Sequence, residues 1–453
     1  MGARFVNVDR ETPMLFPVDM RDWIPENHPV HFIIEAVETL GLQSFQVNER
    51  GTGNEQYHPV MMLSLLIYCY SNGRFQSRKI EDATYTDVAV RYICGGHLHP
   101  DHDTICKFRR ENGELFKECF VKVLGMAREL GVLKRLGGIS IDGTKIRANA
   151  SKAGTFSHGK AGELIEQLGL EVDALISKAE DADRKDDEGL LNIPEEISRR
   201  ENRIGKLKEA QRMMEEQYER KKKEDREEYG KKLEAMRKRK DDGEVSRSLR
   251  PKGPRKKALD EFQFNPVDPE SRLMRKSDGT GFDQLYNAQM AVDAEGSRLV
   301  LGKYVTDRGN DLKELQNGVE SVDKEARKIT EVLADGGYFN DELIEAVEDG
   351  SEIKVYAPPG KSYEPADTRN GSPLRAEMFE RLRTKDGKEK QSKRRQISEP
   401  VFGIIKEAMG FRKFLMRGLA KVNIEWDLIS LAYNFKRLFR LLGNPGFLKP
   451  AGA

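Results

Sequence analysis

The chain is poor in the features that would place it among membrane or secreted proteins. Its longest apolar run, Val60 to Tyr70, is much shorter than the roughly 20 residues that cross a bilayer, so we expect no membrane span. The opening MGARFVNVDRETPMLF lacks the basic segment, apolar core and cleavage site of a secretory signal. The four cysteines lie in the first third of the 453 residues, and we expect reduced thiols and a cytoplasmic location.

Excess charge and nucleotide-binding motifs are also missing. Lys and Arg number 77 against 76 Asp and Glu, so a polyanion would have to bind a local patch of positive charge. One such patch is the predicted short helix of PDHDTICKFRR, which carries Lys107, Arg109 and Arg110. These residues suit DNA contact, although a basic solvent-exposed helix explains them almost as well. No glycine-rich phosphate loop and no G-x-S-x-G elbow occurs, which argues against a nucleotide cofactor and against serine hydrolysis.

The apolar pattern divides the chain into three parts. Residues 1–133 show helical spacing with Ser, Thr and Asp at helix starts and Gly at helix ends, which predicts an all-α domain. At Gly137 the pattern changes to the alternation of a strand, and four further strand-like segments follow with helices between the later ones. This order predicts a mixed α/β domain of residues 134–151 and 279–445, with a sheet and flanking helices.

A long charged insertion, residues 152–278, separates the first strand from the second. Ile197, Ile204, Leu207, Met214 and Tyr218 recur at heptad-like steps, but the flanking positions are polar. We expect a coiled-coil-like helical hairpin, with disorder around RSLRPKGPRKK. A solvated helical insertion and an arm that contacts DNA or a second subunit both fit this pattern.

Two aspartates follow strand-like segments. Asp142 ends the first strand in ISIDGTKI, and Asp335 ends the fourth in VLADGGYF. If these strands are neighbours, both carboxylates emerge at one edge of the sheet, where a hard divalent cation such as Mg²⁺ would relieve their repulsion. Such a site serves phosphoryl transfer. The alternative is that each aspartate only caps a turn, because Asp-Gly is common in turns.

A third acid stands in RRQISEPVFGIIKEAMGF. The pattern predicts a helix that begins near Ser398 or Glu399 with Pro400 in its first turn, so that Glu399 and Lys406 share one face two turns apart. Glu425 and Asp427 compete for the role of third acid. They lie beside Trp426 in a helix whose apolar positions indicate packing, and Glu399 is therefore the better candidate.

With these residues the chain resembles bacterial insertion-sequence transposases of the DDE type, in the broad IS-four/IS-five-like group. Arg395, Glu399 and Lys406 match the spacing of the group's Tyr, Arg, Glu, Lys motif, while Ser392 stands where the tyrosine is expected. Asp142 and Asp335 correspond to the first two acids. The upstream HPVMMLSLLIYCYSNG and PDHDTICKFRR resemble the N-terminal helical domain of these transposases. Known relatives place their large insertion later, so the role of residues 152–278 does not transfer.

The resemblance implies an RNase H-like catalytic domain in which Asp142, Asp335 and Glu399 hold two Mg²⁺ ions, with Mn²⁺ as a substitute. It implies cleavage of double-stranded DNA at the ends of the element and joining to a target, carried out by a homodimer on DNA in the bacterial nucleoid. Arg395 and Lys406, with the neighbouring Arg394, would contact DNA phosphates. Two alternatives stay open: a DNA-binding repressor whose nuclease site has decayed, and a metal-dependent nuclease that never joins strands.

The segment CGGHLHPDHDTIC, Cys94 to Cys106, holds two cysteines and three histidines. Its spacing matches no usual zinc site, because the histidines crowd around Pro100. We expect a turn in which Asp101 or Asp103 caps the next helix.

Overall fold

The computed structural model describes residues 19–46, 56–183, 193–241, 253, 258–276, 279–360 and 372–443. Contacts divide the chain into two compact units, one formed by Met1–Val132 with Leu428–Ala453 and the other by Leu133–Asp427. No helix among the described residues is long and apolar enough to span a bilayer. The predicted disorder around RSLRPKGPRKK concerns residues that, apart from Gly253, lie outside the described ranges.

The first unit is helical throughout the described part of residues 19–132. Its helices are α1 (Met20–Trp23), α2 (Pro29–Thr39), α3 (Pro59–Ser71), α4 (Ser77–Thr86), α5 (Val88–Ile93), α6 (His102–Glu111) and α7 (Gly113–Glu129). The starts follow ordinary capping chemistry: the carboxylate of Asp87 accepts from the N–H groups of Ala89 and Val90, and Pro59 occupies the first turn of α3. Helix α3 is buried over almost its whole length and forms the centre of this unit.

The second unit is built on a six-stranded mixed sheet. Its strands are β1 (Leu136–Arg147), β4 (Arg272–Arg275), β5 (Phe282–Asp293), β6 (Val300–Thr306), β7 (Lys328–Leu333) and β8 (Lys354–Tyr356), and a separate two-stranded sheet pairs β2 (Phe156–Ser157) with β3 (Gln263–Phe264). The main order is β4–β5–β1–β7–β8, and β6 also pairs with β5. Strand β1 runs antiparallel to β5 and parallel to β7.

The helices of this unit lie between and after the strands. They are α8 (His158–Asp183), α9 (Ile193–Asp241), α10 (Leu315–Glu320), α11 (Asp341–Glu348), α12 (Pro373–Arg383) and α13 (Lys385–Gly403), and α14 (Leu419–Leu441) begins in this unit. Helices α8 and α9 pack against each other as a hairpin within the insertion. Helix α13 packs on β1, β5, β7 and β8, so it covers one face of the sheet.

Helix α9 is held to the rest of the unit by apolar packing and by ion pairs. Ala210 and Met214 are buried against Phe264 of β3. Further along, Lys221 Nζ lies 2.6 Å from Asp307 Oδ2, and Lys313 Nζ lies 3.0 Å from Glu228 Oε2. The insertion therefore packs along the loop between β6 and α10.

Helix α13 differs from the prediction. It begins at Lys385, where the hydroxyl of Thr384 accepts from the N–H of Gly387, and Pro400 lies inside its last turn rather than its first. After Gly403 the chain continues as a π-helix, Ile404–Ala408. Proline provides no N–H for the helical ladder, and wide turns are one way in which a chain accommodates such a break. Glu399 and Lys406 therefore do not share one regular helix.

Candidate active site

Alternate residues of β1 face helix α13. Ser140, Asp142 and Thr144 lie on the same face of the strand because strand side chains repeat with a period of two. Ser140 Oγ is 2.6 Å from Ser398 Oγ, and Arg394 Nη1 is 3.9 Å from Asp142 Oδ2. Residues of β1 and α13 thus form one wall of the candidate site.

Asp142 is not at the end of its strand, contrary to the prediction. The parallel pairing of β1 with β7 stops at Ser140, but the antiparallel pairing with β5 continues to Arg147. Asp142 therefore lies two residues beyond the last pair with β7, in the middle of a strand that only β5 still supports. The pattern of alternation did not show this continuation, because Gly143 interrupts the apolar positions.

Asp335 lies two residues after the end of β7. It caps a short 3₁₀ turn, Gly336–Tyr338, and its Oδ1 accepts from the N–H of Gly337 at 2.8 Å. Because β7 lies beside β1 in the parallel direction, this turn starts next to the part of β1 that carries Asp142. The two aspartates lie close enough for the carboxylate of Asp335 to raise the pKa of Asp142.

Asp142 is an unusual carboxyl group. The pKa of Asp142 is raised to about 7, mainly by burial and also by the carboxylates of Asp335 and Asp311, while Arg394 and the N–H of Gly143 oppose the rise. A carboxyl group surrounded in this way holds a proton near neutral pH unless a positive charge joins it. The candidate site thus combines a largely buried carboxyl group with two neighbouring carboxylates and one arginine.

Asp311 was not identified from the sequence. It lies in the loop before α10, and its Oδ1 accepts from Asn287 Nδ2 at 2.8 Å and from Gln289 Nε2 at 2.6 Å. Both amides stand on β5 and are almost fully buried. The sequence contains one indirect signal for a partner such as Asp311. Two amides, Asn287 and Gln289, stand among the apolar residues of LYNAQMAV, and buried amides need hydrogen-bond partners.

Glu399 and Arg395 lie next to the face of α13 that packs on the sheet. Both are exposed, whereas the adjacent Ile397 and Ser398 are buried. Within the part of the chain that the structure describes, Glu399 makes no hydrogen bond and no ion pair. Glu399 is therefore the next residue along the helix after Ser398, which contacts Ser140 of β1.

Lys406 reaches β1 from the π-helix. Its Nζ donates to Thr144 Oγ1, two residues beyond Asp142. Burial lowers the pKa of Lys406, and Arg412 lowers it as well, while the carboxylates of Glu407 and Asp142 act in the opposite direction. Arg394 and Lys406 thus place two cationic groups along the same stretch of β1.

The two competing acids have other partners. Glu425 is fully buried, and its Oε2 accepts from the N–H groups of Leu415 at 2.9 Å and Met416 at 3.0 Å. Asp427 forms a buried ion pair with Lys303 at 2.9 Å. These contacts give both acids a structural role in holding α14 and the segment before it.

The basic residues of α6 do not share one environment. Lys107 and Arg110 are exposed. Arg109 is only 5% exposed, and its Nη1 donates to Tyr70 Oη at 2.8 Å and to the carbonyl of Phe75 at 2.9 Å. The helical position of Arg109 turns it into the unit, and we do not retain it as a DNA contact.

The Cys and His residues around Pro100 hold structural contacts. Asp101 caps α6 by accepting from the N–H of Thr104 at 2.6 Å, as the sequence predicted. His102 Nδ1 is 2.8 Å from Glu81 Oε2, and His99 stacks on the ring of Tyr85. Over the described residues of the whole chain, no group of three or more His, Cys, Asp and Glu side chains has the arrangement of a metal site.

Comparisons with protein families give two matches. Residues 18–111 match the family described as Transposase domain (DUF772). Residues 366–439 match the family described as Transposase DDE domain. The first segment contains helices α1 to α6, and the second contains α13 and most of α14. The comparisons with curated proteins and with solved structures give no match.

Proposed function

The two family matches support an insertion-sequence DDE transposase, and from that premise we propose that the chain binds the terminal inverted repeats of a mobile element and cuts and joins DNA strands there. The reaction is a metal-dependent phosphoryl transfer on an RNase H-like domain. Asp142, Asp335 and Glu399 are the proposed acids. The single observation that carries the proposal is the approach of Asp142 to Asp335 across the parallel pair β1 and β7.

The sheet supports the proposed RNase H-like architecture. Strands β1, β5 and β6 are joined by antiparallel pairs, and β7 and β8 extend the sheet with parallel pairs on the other side of β1. Helix α13 packs on one face, and on the opposite face Gly318 of α10 lies so close to Ile141 that an added Cβ would be 2.8 Å from Ile141 Cδ1. In this proposal, Asp142 and Asp335 act just beyond the point where β1 and β7 stop pairing.

The donor atoms fit a hard divalent cation. Asp142 and Asp335 offer carboxylate oxygens, which are the ligands that Mg²⁺ and Mn²⁺ prefer, and Mg²⁺ is often held by only one or two carboxylates. When bound, two such ions would stabilise the charge on the attacking and leaving oxygens of the phosphodiester. The raised pKa of Asp142 supports this fit, because a bound cation would hold that carboxyl in its charged form.

The cationic residues have distinct proposed roles. Arg394 lies 3.9 Å from Asp142 and holds its carboxylate on the α13 side of the site, while Lys406 lies beside Thr144. Both are positioned to contact a phosphate that enters along β1. Arg395 is exposed on the flank of α13 and would contact the DNA backbone further out. Glu399 would have to turn from solvent toward the aspartates when DNA and metal bind.

Recognition of the DNA ends is assigned to the helical unit. Lys107 and Arg110 are exposed on α6, and Arg78 and Lys79 are exposed on α4, which packs against α6. A helix with exposed basic residues suits the major groove, with phosphate contacts setting its register. Since two ends must be paired before joining, a homodimer on DNA is part of the proposal.

Substitution of the three acids tests the proposal. With duplexes that carry the inverted repeats flanking the coding sequence, we expect D142N, D335N and E399Q each to reduce the Mg²⁺-dependent cleavage rate by at least about a hundredfold, because charge stabilisation at the reacting phosphate is lost. Binding of the same duplex should stay within about twofold, since phosphate contacts elsewhere provide the affinity. E389Q is the matched control, because Glu389 is exposed on the same helix and pairs only with Lys393 among the described residues.

The cleavage rates of the three variants distinguish the role of Glu399 from those of the two aspartates. Cleavage by E399Q at the wild-type rate would remove Glu399 from the site and leave the two aspartates. Cleavage by D142N or D335N would refute the proposed site altogether.

The exposure of Glu399 favours one second candidate, a protein that binds the ends without cutting them. In that case the wild-type chain would bind end duplexes and show no cleavage with Mg²⁺ or Mn²⁺. A stand-alone nuclease differs in the joining step, and a strand-transfer assay with pre-cut ends separates it from a transposase.

A further inference from the structure

A hydrogen-bonded chain connects the loop before α10 with the turn that carries Asp335. Asp311 Oδ1 accepts from the side-chain amide of Gln289 at 2.6 Å, and Gln289 Oε1 in turn accepts from the hydroxyl of Tyr338. Tyr338 is the last residue of the 3₁₀ turn that Asp335 caps. The link thus runs from Asp311 through Gln289 and Tyr338 to the turn of Asp335.

The side-chain amide of Gln289 can make both of these hydrogen bonds in only one orientation. Its NH₂ group can only donate and its oxygen can only accept, so the acceptor at Asp311 directs the oxygen of Gln289 toward Tyr338. Gln289 and Tyr338 are fully buried, and burial raises the pKa of Tyr338, which keeps its hydroxyl a neutral donor. Without an acceptor at position 311, the buried NH₂ group of Gln289 would lose its hydrogen-bond partner, and the amide would no longer be held in this orientation.

The same amide touches the backbone beside Asp142. A Cβ added at Gly143 would lie 2.2 Å from Gln289 Nε2 and 2.8 Å from Asp311 Oδ1. Only glycine leaves room here for the side chains of β5 and of the loop. The Asp311–Gln289 pair is therefore packed against the strand of one proposed acid while it supports the turn of the other.

From these contacts we infer that Asp311 is a positioning residue, which fixes the amide of Gln289 and thereby holds Tyr338 and the turn that presents Asp335 to Asp142. The inference rests on the proposed function, since it concerns the geometry of the two proposed acids. Asp311 acts here through its accepted hydrogen bonds, and an uncharged acceptor can replace it.

Three variants of the full-length chain test this role. D311N keeps an oxygen that accepts from Gln289 and Asn287, D311A removes the acceptor, and Y338F removes the hydroxyl donor. We expect D311A and Y338F to reduce kcat for end cleavage by roughly ten- to a hundredfold, with KM for the end duplex unchanged, because small misplacement of reacting groups lowers the rate without weakening distant contacts. D311N should keep kcat within about threefold. D225N, on the exposed side of α9, is the matched control.

Binding of Mn²⁺ provides a second measurement that does not depend on cleavage. Titration calorimetry with Mn²⁺ alone should give weaker binding for D311A and Y338F than for the wild type, and unchanged binding for D311N. If D311N loses Mn²⁺ binding to the extent that D142N does, the charge of Asp311 acts on the ion directly and the inference is overturned. Wild-type behaviour of Y338F in both assays would overturn it as well.

The two proposals fail in different ways. Absence of end cleavage by the wild-type chain would contradict the proposed function, and the order of Mn²⁺ affinities among the variants would still decide the role of Asp311. If D311A does not fold, D311N and Y338F decide it, because D311N removes only the charge at position 311 and Y338F removes only the hydroxyl donor.

Discussion

Individual carboxyl groups in this chain have opposite pKa shifts because their partners differ. Asp142 is largely buried beside two other carboxylates, and its pKa is raised to about 7. Glu118 on α7 is partly buried, which by itself raises its pKa, but a hydrogen bond from Lys122 and the N–H groups of Ser44 and Gln43 lower it to about 2. Glu118 is therefore an anion at neutral pH, whereas Asp142, with a pKa of about 7, is only partly charged there unless a positive charge lies beside it.

Glu118 predicts a pH dependence of stability. Its folded pKa of about 2 lies below the ordinary value of 4.5, so its stabilising contribution is fully present above the ordinary value and is lost as the pH falls toward 2. E118Q should therefore lower the stability of the helical unit by about 1–3 kcal/mol at pH 7 and by progressively less in acid. Thermal unfolding of both proteins between neutral and acidic pH measures this. E114Q is the control, because Glu114 is exposed and pairs with Lys117 at the surface.

A constant difference between E118Q and the wild type across the pH range would contradict this account. It would show that the glutamate contributes by packing or by neutral hydrogen bonds, and that its charge is unimportant.

At the residue scale, the sequence indicated which strands are neighbours, but it did not indicate side-chain contacts between residues far apart in sequence. The approach of Asp142 to Asp335 followed from two strands that proved adjacent. Asp311 could not be found in this way, because its role depends on two amides of β5 more than 20 positions earlier. Arg109 was assigned to the surface because helical spacing alone does not show that Tyr70 and Phe75 enclose its guanidinium.

At the scale of elements, the boundaries of α13 show the limit of local signals. Ser398, Glu399 and Pro400 form a reasonable helix start, but Thr384 caps the helix much earlier and the packing of Ile397, Val401 and Phe402 on the sheet carries it past the proline. Tertiary burial outweighs the local preference of proline here, and the chain accommodates the break with the π-helix that follows.

Helix α9 shows the opposite case, in which a weak apolar stripe proved to be a tertiary contact. The sequence indicated a sparse heptad seam that included Met214. In the structure Met214 is fully buried with Ala210 against Phe264, and Phe156 and Phe262 pack around them. The stripe therefore anchors α9 to β3 in addition to pairing α9 with α8.

Met214→Ala tests that anchor. Removing a buried methionine side chain should cost about 2–4 kcal/mol, because the transfer free energy is lost and a cavity remains beside Phe264. Hydrogen–deuterium exchange of α9 and β3 should become faster by the corresponding factor. L170A is the control, since Leu170 is 66% exposed on α8 and its loss should change stability by at most about 0.5 kcal/mol. Equal exchange in M214A and the wild type would mean that α9 is held by its ion pairs with the loop before α10.

For the whole molecule, charge balance restricts how DNA can be bound. With 77 basic and 76 acidic residues, the chain has no general attraction for a polyanion, so affinity must come from the few places where basic side chains are exposed together. Several basic residues of α9 pair with acids of the same helix at i,i+4 spacing, as Arg212 does with Glu216, which offsets part of its positive charge. The exposed pair Lys107 and Arg110 on α6 is a stronger candidate than the insertion, despite the larger number of basic residues in α9.

This assignment predicts the salt dependence of end binding. Each cation that contacts a phosphate releases about one counterion, so the slope of log K against log salt should become shallower by about 0.9 in K107A, by about 0.9 in R110A and by the sum of both in the double variant. Fluorescence anisotropy with an end duplex over a series of salt concentrations measures the slopes. K117A should leave the slope unchanged, because Lys117 pairs with Glu114 on α7. A slope that K107A and R110A do not alter would move DNA recognition away from α6.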